Sequence, residues 1–341
     1  MTIRVLSAAD IDRALTPADA VEAMRSAFSQ LSDGSARVPI RGAVESAHGT
    51  TLLMPAFLGG SGGLGAKIVS VFPENDACPP INGAVLLLDG RTGRPRALLE
   101  GARLTGLRTA AGSALATELL APEDAGTLAV FGAGVQARAH IEVISATRPL
   151  REIRILSRTG ASARRLAGDI VDTLHLLPPG STGSPPRVVV HDDPRAAVQG
   201  ADIVVAATTS ATPVFPGRVL ARRTHVNGVG SFRPDMQEVD VDVVRRSRVV
   251  VDQRQAAWEE AGDLIVPRQV GDVSEDIVAA ELGEIVNGAA PRGADGHELT
   301  FFKSVGNAAQ DVAIAMAALD AAERESIGVE VAFRGTGRSG G

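Results

Sequence analysis

The chain has 341 residues, 45% hydrophobic and 22% charged, which excludes a disordered chain and supplies apolar mass for about two domains. Its 34 Lys+Arg and 40 Asp+Glu leave a net charge of -6 with no basic patterning, so nucleic acid is not an expected partner. No apolar run approaches the roughly 20 residues of a membrane span, and residues 1–15 have no signal-peptide core, so a cytoplasmic protein without a membrane partner is expected.

The residue inventory narrows the chemistry. Cys78 is the sole cysteine, so disulfides and cysteine-based zinc sites are excluded and no metal site is expected. The chain has no tyrosine, which rules out dehydrogenase mechanisms built on a Tyr-Lys acid pair. Lys67 and Lys303 are its only lysines. Each places a compact, titratable ammonium where the rest of the chain uses arginine.

In chain order, Thr16 as cap, Pro17 at the first helical position and Val21, Met24, Phe28 and Leu31 on one face predict an amphipathic helix over 16–34. Short β segments follow at 40–45, 50–54, 65–72, 84–88 and 96–99, with a hairpin turn over 89–93. This is an antiparallel α+β pattern. A helix over 104–120, with Thr105 as its cap, closes the region. From Thr127 the regime changes. Strands at 127–131, 152–156, 187–190, 202–207, 224–229 and 248–251 alternate with helical segments, predicting an α/β fold with a doubly wound parallel sheet of Rossmann type. Residues 176–186 hold four prolines and suit a surface insertion. A last helix over 307–322 is expected to pack back on the N-terminal region, ahead of a mobile tail over 335–341.

Gly132-Ala133-Gly134-Val135-Gln136-Ala137 follows a predicted strand and opens a helix. It is the G-x-G-x-x-A form of the dinucleotide fingerprint: Gly132 for the tight turn, Gly134 for approach of the pyrophosphate and Ala137 for close packing. Where an NAD enzyme carries an acidic residue at the end of the second strand, this chain has Ser157-Arg158-Thr159. A cation and two hydroxyls suit a 2′-phosphate, which favours NADPH, with NADH possible. In the first half, Lys67 lies mid-strand among apolar neighbours, a placement that requires an anionic partner. Arg108 in the helix and Arg41 in an early strand are each, taken alone, as well explained as solvated surface residues.

Six ordered stretches then show a resemblance: 65–67, 89–93, 104–111, 132–137, 260–263 and 303–306. Over nearly its full length the chain resembles the ornithine cyclodeaminase/mu-crystallin family. The resemblance implies a homodimer in which residues 1–120 plus 305–341 form an α+β substrate and dimerisation domain and residues 121–304 the Rossmann domain, with substrate in the cleft. It implies that Arg41, Lys67 and Arg108 hold a substrate carboxylate, with Lys67 and Arg108 catalytic. It also sets Asn82, Arg108, Thr109, Val135, Gln136, Ala207, Thr208, Val229, Gly230 and Ser304 beside the cofactor.

One departure bears on the reaction. Cyclodeaminases and alanine dehydrogenases of this family carry an acid two positions after the glycine matching Gly230, where this chain has Phe232. The Ser231-Phe232-Arg233-Pro234-Asp235 stretch is similar to the mu-crystallin-like ketimine reductase branch. Asp235 either replaces the missing acid or caps a helix running through Val239; the cap is the preferred expectation. The resemblance thus implies an NADPH-dependent reductase of a small cyclic imino acid. Ornithine cyclodeaminase or an alanine-type dehydrogenase is the alternative, and an NADPH-holding binding protein with little turnover is a second.

Overall fold

The computed structural model describes residues 2–174 and 185–333. The expected tail, and nearly all of the expected insertion, lie outside that range. The chain divides into two compact units, Met1–Arg108 with Asn307–Gly341, and Thr109–Gly306.

The first unit opens with β1 (Thr2–Leu6), α1 (Ala8–Ala14) and α2 (Pro17–Ser32). The strands β2 (Ala36–Arg37), β3 (Gly42–Glu45), β4 (Thr50–Leu58), β5 (Gly63–Val71), β6 (Ile81–Asp89) and β7 (Pro95–Glu100) follow, and lead into α3 (Gly101–Leu120). The boundary between the units falls inside α3. Helix α2 starts as its sequence predicts. Thr16 Oγ1 accepts from the Asp19 N–H at 3.2 Å, and Asp19 returns the bond to the Thr16 N–H at 3.0 Å, which satisfies two of the free donors of the first turn. At α3 the expectation is corrected. Glu100 receives the N–H groups of Ala102 and Arg103 at 2.8 and 2.7 Å, so the helix begins at Gly101. Thr105 is an interior residue whose hydroxyl donates to the Gly101 carbonyl at 2.7 Å. Arg41 precedes β3 rather than lying in a strand.

The second unit has strands at all six predicted positions and adds two that were not predicted, at 278–281 and 299–303. β8 (Thr127–Phe131), α4 (Val135–Thr147), β9 (Glu152–Leu156), α5 (Gly160–Leu174), β10 (Arg187–Val190), α6 (Pro194–Val198), β11 (Ile203–Ala206) and β12 (His225–Gly228) run in order. They continue into α7 (Val241–Arg246), β13 (Ser247–Val251), α8 (Arg254–Glu260), α9 (Gly262–Gln269), β14 (Val278–Glu281), α10 (Leu282–Val286) and β15 (Leu299–Lys303). The sheet order is β10-β9-β8-β11-β12-β15-β13-β14, and all its pairings are parallel. β11, β12, β13 and β15 are buried along their whole length, as a parallel sheet covered on both faces requires. The order reverses direction at β8/β11. That switch point is where such sheets take a ligand, at the carboxyl ends of the strands.

Two last elements return to the first unit: α11 (Ala308–Glu325) and β16 (Val329–Ala332). β16 pairs antiparallel with β1, which runs parallel to β7; the rest of that sheet is antiparallel. Helix α11 packs on β4, β5, β6 and α2. Its approach is set by glycines. A Cβ on Gly63 would meet Val312 and Met316 at 3.3 Å, and one on Gly65 would meet the Leu86 carbonyl at 2.7 Å and Val312 at 3.3 Å. Gly63, Gly65 and Lys67 share one face of β5, because side chains alternate along a strand. The face that admits α11 is therefore the face that carries Lys67.

Candidate active site

Lys67 is 4% exposed and Arg108 7%, and both point at a fully buried residue of α11, Asp311. Lys67 Nζ lies 2.7 Å from Asp311 Oδ2, and Arg108 Nε lies 3.2 Å from Oδ1. The Arg108 Nη1 group donates to Gln310 Oε1 at 2.9 Å. One carboxylate thus serves two cations. Asp311 was not legible beforehand: it is one of four acids in an alanine-rich helix, the one near its start, 203 residues from Arg108. A charged residue on a helix buried almost all round is the signal that identifies it.

Burial pushes the Lys67 ammonium below its usual range, Asp311 opposes that, and the charges of Arg108 and Arg41 push it further down. Burial alone would raise Asp311, but Lys67 and Arg108 together hold its carboxyl below the ordinary carboxylate range. The outcome is an ionised aspartate facing a lysine that gives up its proton more readily than a surface lysine does. Arg41, partly buried, contributes to that positive field.

In the second unit the predicted cofactor residues gather at one edge of the sheet. Gly132 to Gln136 follow β8, Ser157 to Thr159 follow β9, Ala207 and Thr208 follow β11, Val229 and Gly230 follow β12, and Ser304 follows β15. These are the carboxyl ends of five adjacent parallel strands. Gly132 has φ +117°, and a Cβ there would press into the Ala207 carbonyl. Gly134 precedes α4, where a Cβ would meet only open space, and it offers the helix no side-chain cap. The helix N–H groups are therefore left to an external acceptor. Gln136 Oε1 is buried without a hydrogen-bond partner. These features fit a dinucleotide.

Arg158 is exposed and makes no ion pair among the described residues. Beside it, Ser157 Oγ donates to the Thr159 carbonyl at 2.7 Å and lies 2.8 Å from Ser162 Oγ. Ser304 Oγ donates to Asp252 at 2.9 Å. Thr109 is buried in α3. Asn82, on β6, donates to the Pro79 carbonyl at 2.5 Å. Asp235 departs from expectation. The chain runs as coil and turns from Ser231 to Asp240, and α7 is capped by Asp240, whose side chain accepts from the Val243 N–H. Asp235 therefore caps no helix and pairs with Arg233 at 3.1 Å on the surface. Phe232 is 46% exposed and brings no titratable group to its position.

Asp311→Asn removes the charge shared by Lys67 and Arg108 and leaves two cations buried together. Breaking a buried pair in this way costs about 3–5 kcal/mol. Urea denaturation of the variant should show a loss of that order, and a loss under about 1 kcal/mol would contradict the network.

The family model for the ornithine cyclodeaminase/mu-crystallin family matches residues 1–326. Δ1-pyrroline-2-carboxylate reductase of Bacillus cereus is 37% identical over 334 residues, covering 96% of this chain and 99% of that protein. Among solved structures, Thermococcus litoralis Δ1-pyrroline-2-carboxylate reductase in complex with NADH and L-proline superposes with TM-score 0.88 at 33% identity, covering 96% of this chain and 100% of that one. An archaeal alanine dehydrogenase dimer with bound NAD gives TM-score 0.88 at 26% identity, covering 98% and 100%. The chain belongs to the ornithine cyclodeaminase/mu-crystallin family.

Proposed function

We propose that this protein is a nicotinamide-dependent oxidoreductase that reduces a small cyclic imino acid, of the Δ1-pyrroline-2-carboxylate or Δ1-piperideine-2-carboxylate kind, to the L-amino acid. The observation that carries this reading is the buried cluster of Lys67, Arg108 and Asp311. Two cations and one carboxylate leave a net positive charge, which the carboxylate of an imino acid neutralises. Arg41 adds to the same field. The relatives named as Δ1-pyrroline-2-carboxylate reductases support the ring and the reaction.

Residues of the chain have separate tasks in the reduction. Arg108, held by Asp311 and Gln310, presents a fixed fork to the substrate carboxylate and orients the ring. The Gly132, Gly134, Thr208 and Gly230 segments hold the nicotinamide cofactor, which when bound supplies a hydride to the carbon bearing the carboxylate. A C–H bond forms there and the C=N π bond breaks, its electron pair passing to nitrogen. A ring nitrogen that arrives protonated needs nothing further. One that arrives neutral takes its proton from Lys67 Nζ, which burial has made a readier donor. Phe232 supplies no base for deprotonating an amine, which favours reduction over cyclodeamination.

NADPH is the cofactor on this reading, because Arg158, Ser157 and Thr159 stand at the end of β9 where a carboxylate would repel a 2′-phosphate. The protein is a homodimer on the same reading. Val44, Leu53, Ile68, Leu98 and Val331 lie exposed on the face of the first unit's sheet opposite Lys67, and a second copy would cover that apolar face. The archaeal alanine dehydrogenase relative is a dimer, which supports this. One exposed, free cysteine fits the cytoplasm.

Reduced-nicotinamide absorbance should fall when Δ1-pyrroline-2-carboxylate is added. Proline formed from ornithine with NAD would contradict the reading, and tight NADPH binding without turnover on any imino acid would return the binding-protein alternative. Arg158→Ala should weaken NADPH binding about tenfold or more and spare NADH; equal loss of both would contradict the 2′-phosphate assignment. Light scattering should give the mass of two chains, and the mass of one would contradict the dimer.

A further inference from the structure

Glu238 lies in the coil between β12 and α7 and is fully buried. Its carboxylate accepts three backbone N–H groups. Thr208 donates to Oε1 at 2.5 Å, and Gly230 and Ser231 donate to Oε2 at 2.6 and 3.1 Å. Thr208 follows β11, and Gly230 and Ser231 follow β12, so one side chain ties together the carboxyl ends of two adjacent strands. A Cβ on Gly230 would strike both the Thr208 backbone and Glu238 Oε1, so the two segments are also closely packed.

Glu238 is itself anchored from below. Its own N–H and that of Val239 donate to Asp263 Oδ1 at 2.6 and 3.1 Å. Asp263 Oδ2 lies 2.8 Å from Lys303 Nζ at the end of β15, and Asp263 and Lys303 are both fully buried. One ion pair and a run of backbone hydrogen bonds thus connect β15 through Asp263 and Glu238 to the β11 and β12 ends.

In a sheet of this order the dinucleotide lies across the strand ends. One mononucleotide half rests on the β8-β9 side of the switch point, the other on the β11-β12 side. The fingerprint glycines and Arg158 belong to the first half. Glu238 belongs to the second.

We propose that Glu238 is a positioning residue for the nicotinamide half of the cofactor, holding the Thr208 and Gly230 segments in place from its seat on Asp263 and Lys303. This rests on the cofactor reading given above. It assigns the buried acid to orientation of the reacting ring rather than to dinucleotide affinity in general. A carboxylate that accepts three N–H groups has no isosteric replacement: an amide offers one acceptor oxygen and turns an N–H₂ toward donors.

The test compares NADPH with 2′-phospho-ADP-ribose, which lacks the nicotinamide, on wild type and Glu238→Gln by calorimetric titration. The expected result is a loss of tenfold or more in NADPH affinity, with binding of the analogue unchanged within twofold. Equal losses for both compounds, or no loss for either, would overturn the proposal, since a merely structural acid moves both together. If the variant does not fold, wild-type amide NMR shifts decide. Movement of Thr208, Gly230 and Ser231 with NADPH but not with the analogue supports the proposal, and movement with both or neither overturns it. A wild-type chain that binds neither compound overturns the cofactor reading and this proposal with it. A chain that binds both, with an unaffected variant, overturns this proposal alone.

Discussion

Two cations cannot be buried a few ångströms apart without a counter-charge, and in the first unit a single carboxylate supplies it. Asp311 makes the Lys67 and Arg108 positions tenable, because an unpaired buried charge costs several kcal/mol. The neutralisation is incomplete by one charge, and Arg41 adds to the excess. A site with this imbalance is more stable with an anion in place than without one. On the proposed function, the same imbalance would select a substrate that carries a carboxylate and orient it through the fixed plane of Arg108. The glycines of β5 matter for the same reason: they let α11 lie close enough to bring Asp311 to Lys67.

The second unit repeats the device for a different end. Lys303 meets Asp263 inside the sheet edge, so both lysines of the chain sit in buried pairs with an aspartate. In the first unit the pair belongs to the proposed substrate site. In the second, Asp263 also holds the Glu238 backbone, whose side chain accepts from backbone groups at the ends of β11 and β12. Compact ammonium groups suit both places, where the broad fork of an arginine would demand more partners.

Much of this was legible in the sequence, and the reasons are physical. β8 and β10 appear with the bounds their residues predict, because a short apolar run closed by Gly132-Ala133-Gly134, or one entered after a proline-rich stretch, leaves little latitude. The start of α2 was legible because a capping box is local. Thr105 misled because capping depends on which acceptor reaches the first turn, and Glu100 lies nearer to it. Asp235 misled for a related reason: α7 starts at Val241 with its own cap. β1 and β16 carried weak local signals, since β1 is defined by distant partners, β7 and β16; α1 was missed although it opens on a capping box of the same kind, Ser7 with Asp10. Asp311 stayed hidden because its partners lie some 200 residues or more away, and Glu238 because it sits in coil, where no periodic pattern marks a residue that folds back on Gly230 and Ser231.

The central claim is that the buried cluster recognises a carboxylate, and one titration tests it most directly. Pyrrole-2-carboxylate is a planar ring bearing the same anion as the imino acid, and pyrrole-2-carboxamide is its uncharged counterpart. In the presence of NADP, the account predicts that the carboxylate binds about 100-fold more tightly than the amide, on the order of two charge-assisted hydrogen bonds. Equal binding of the two would contradict it.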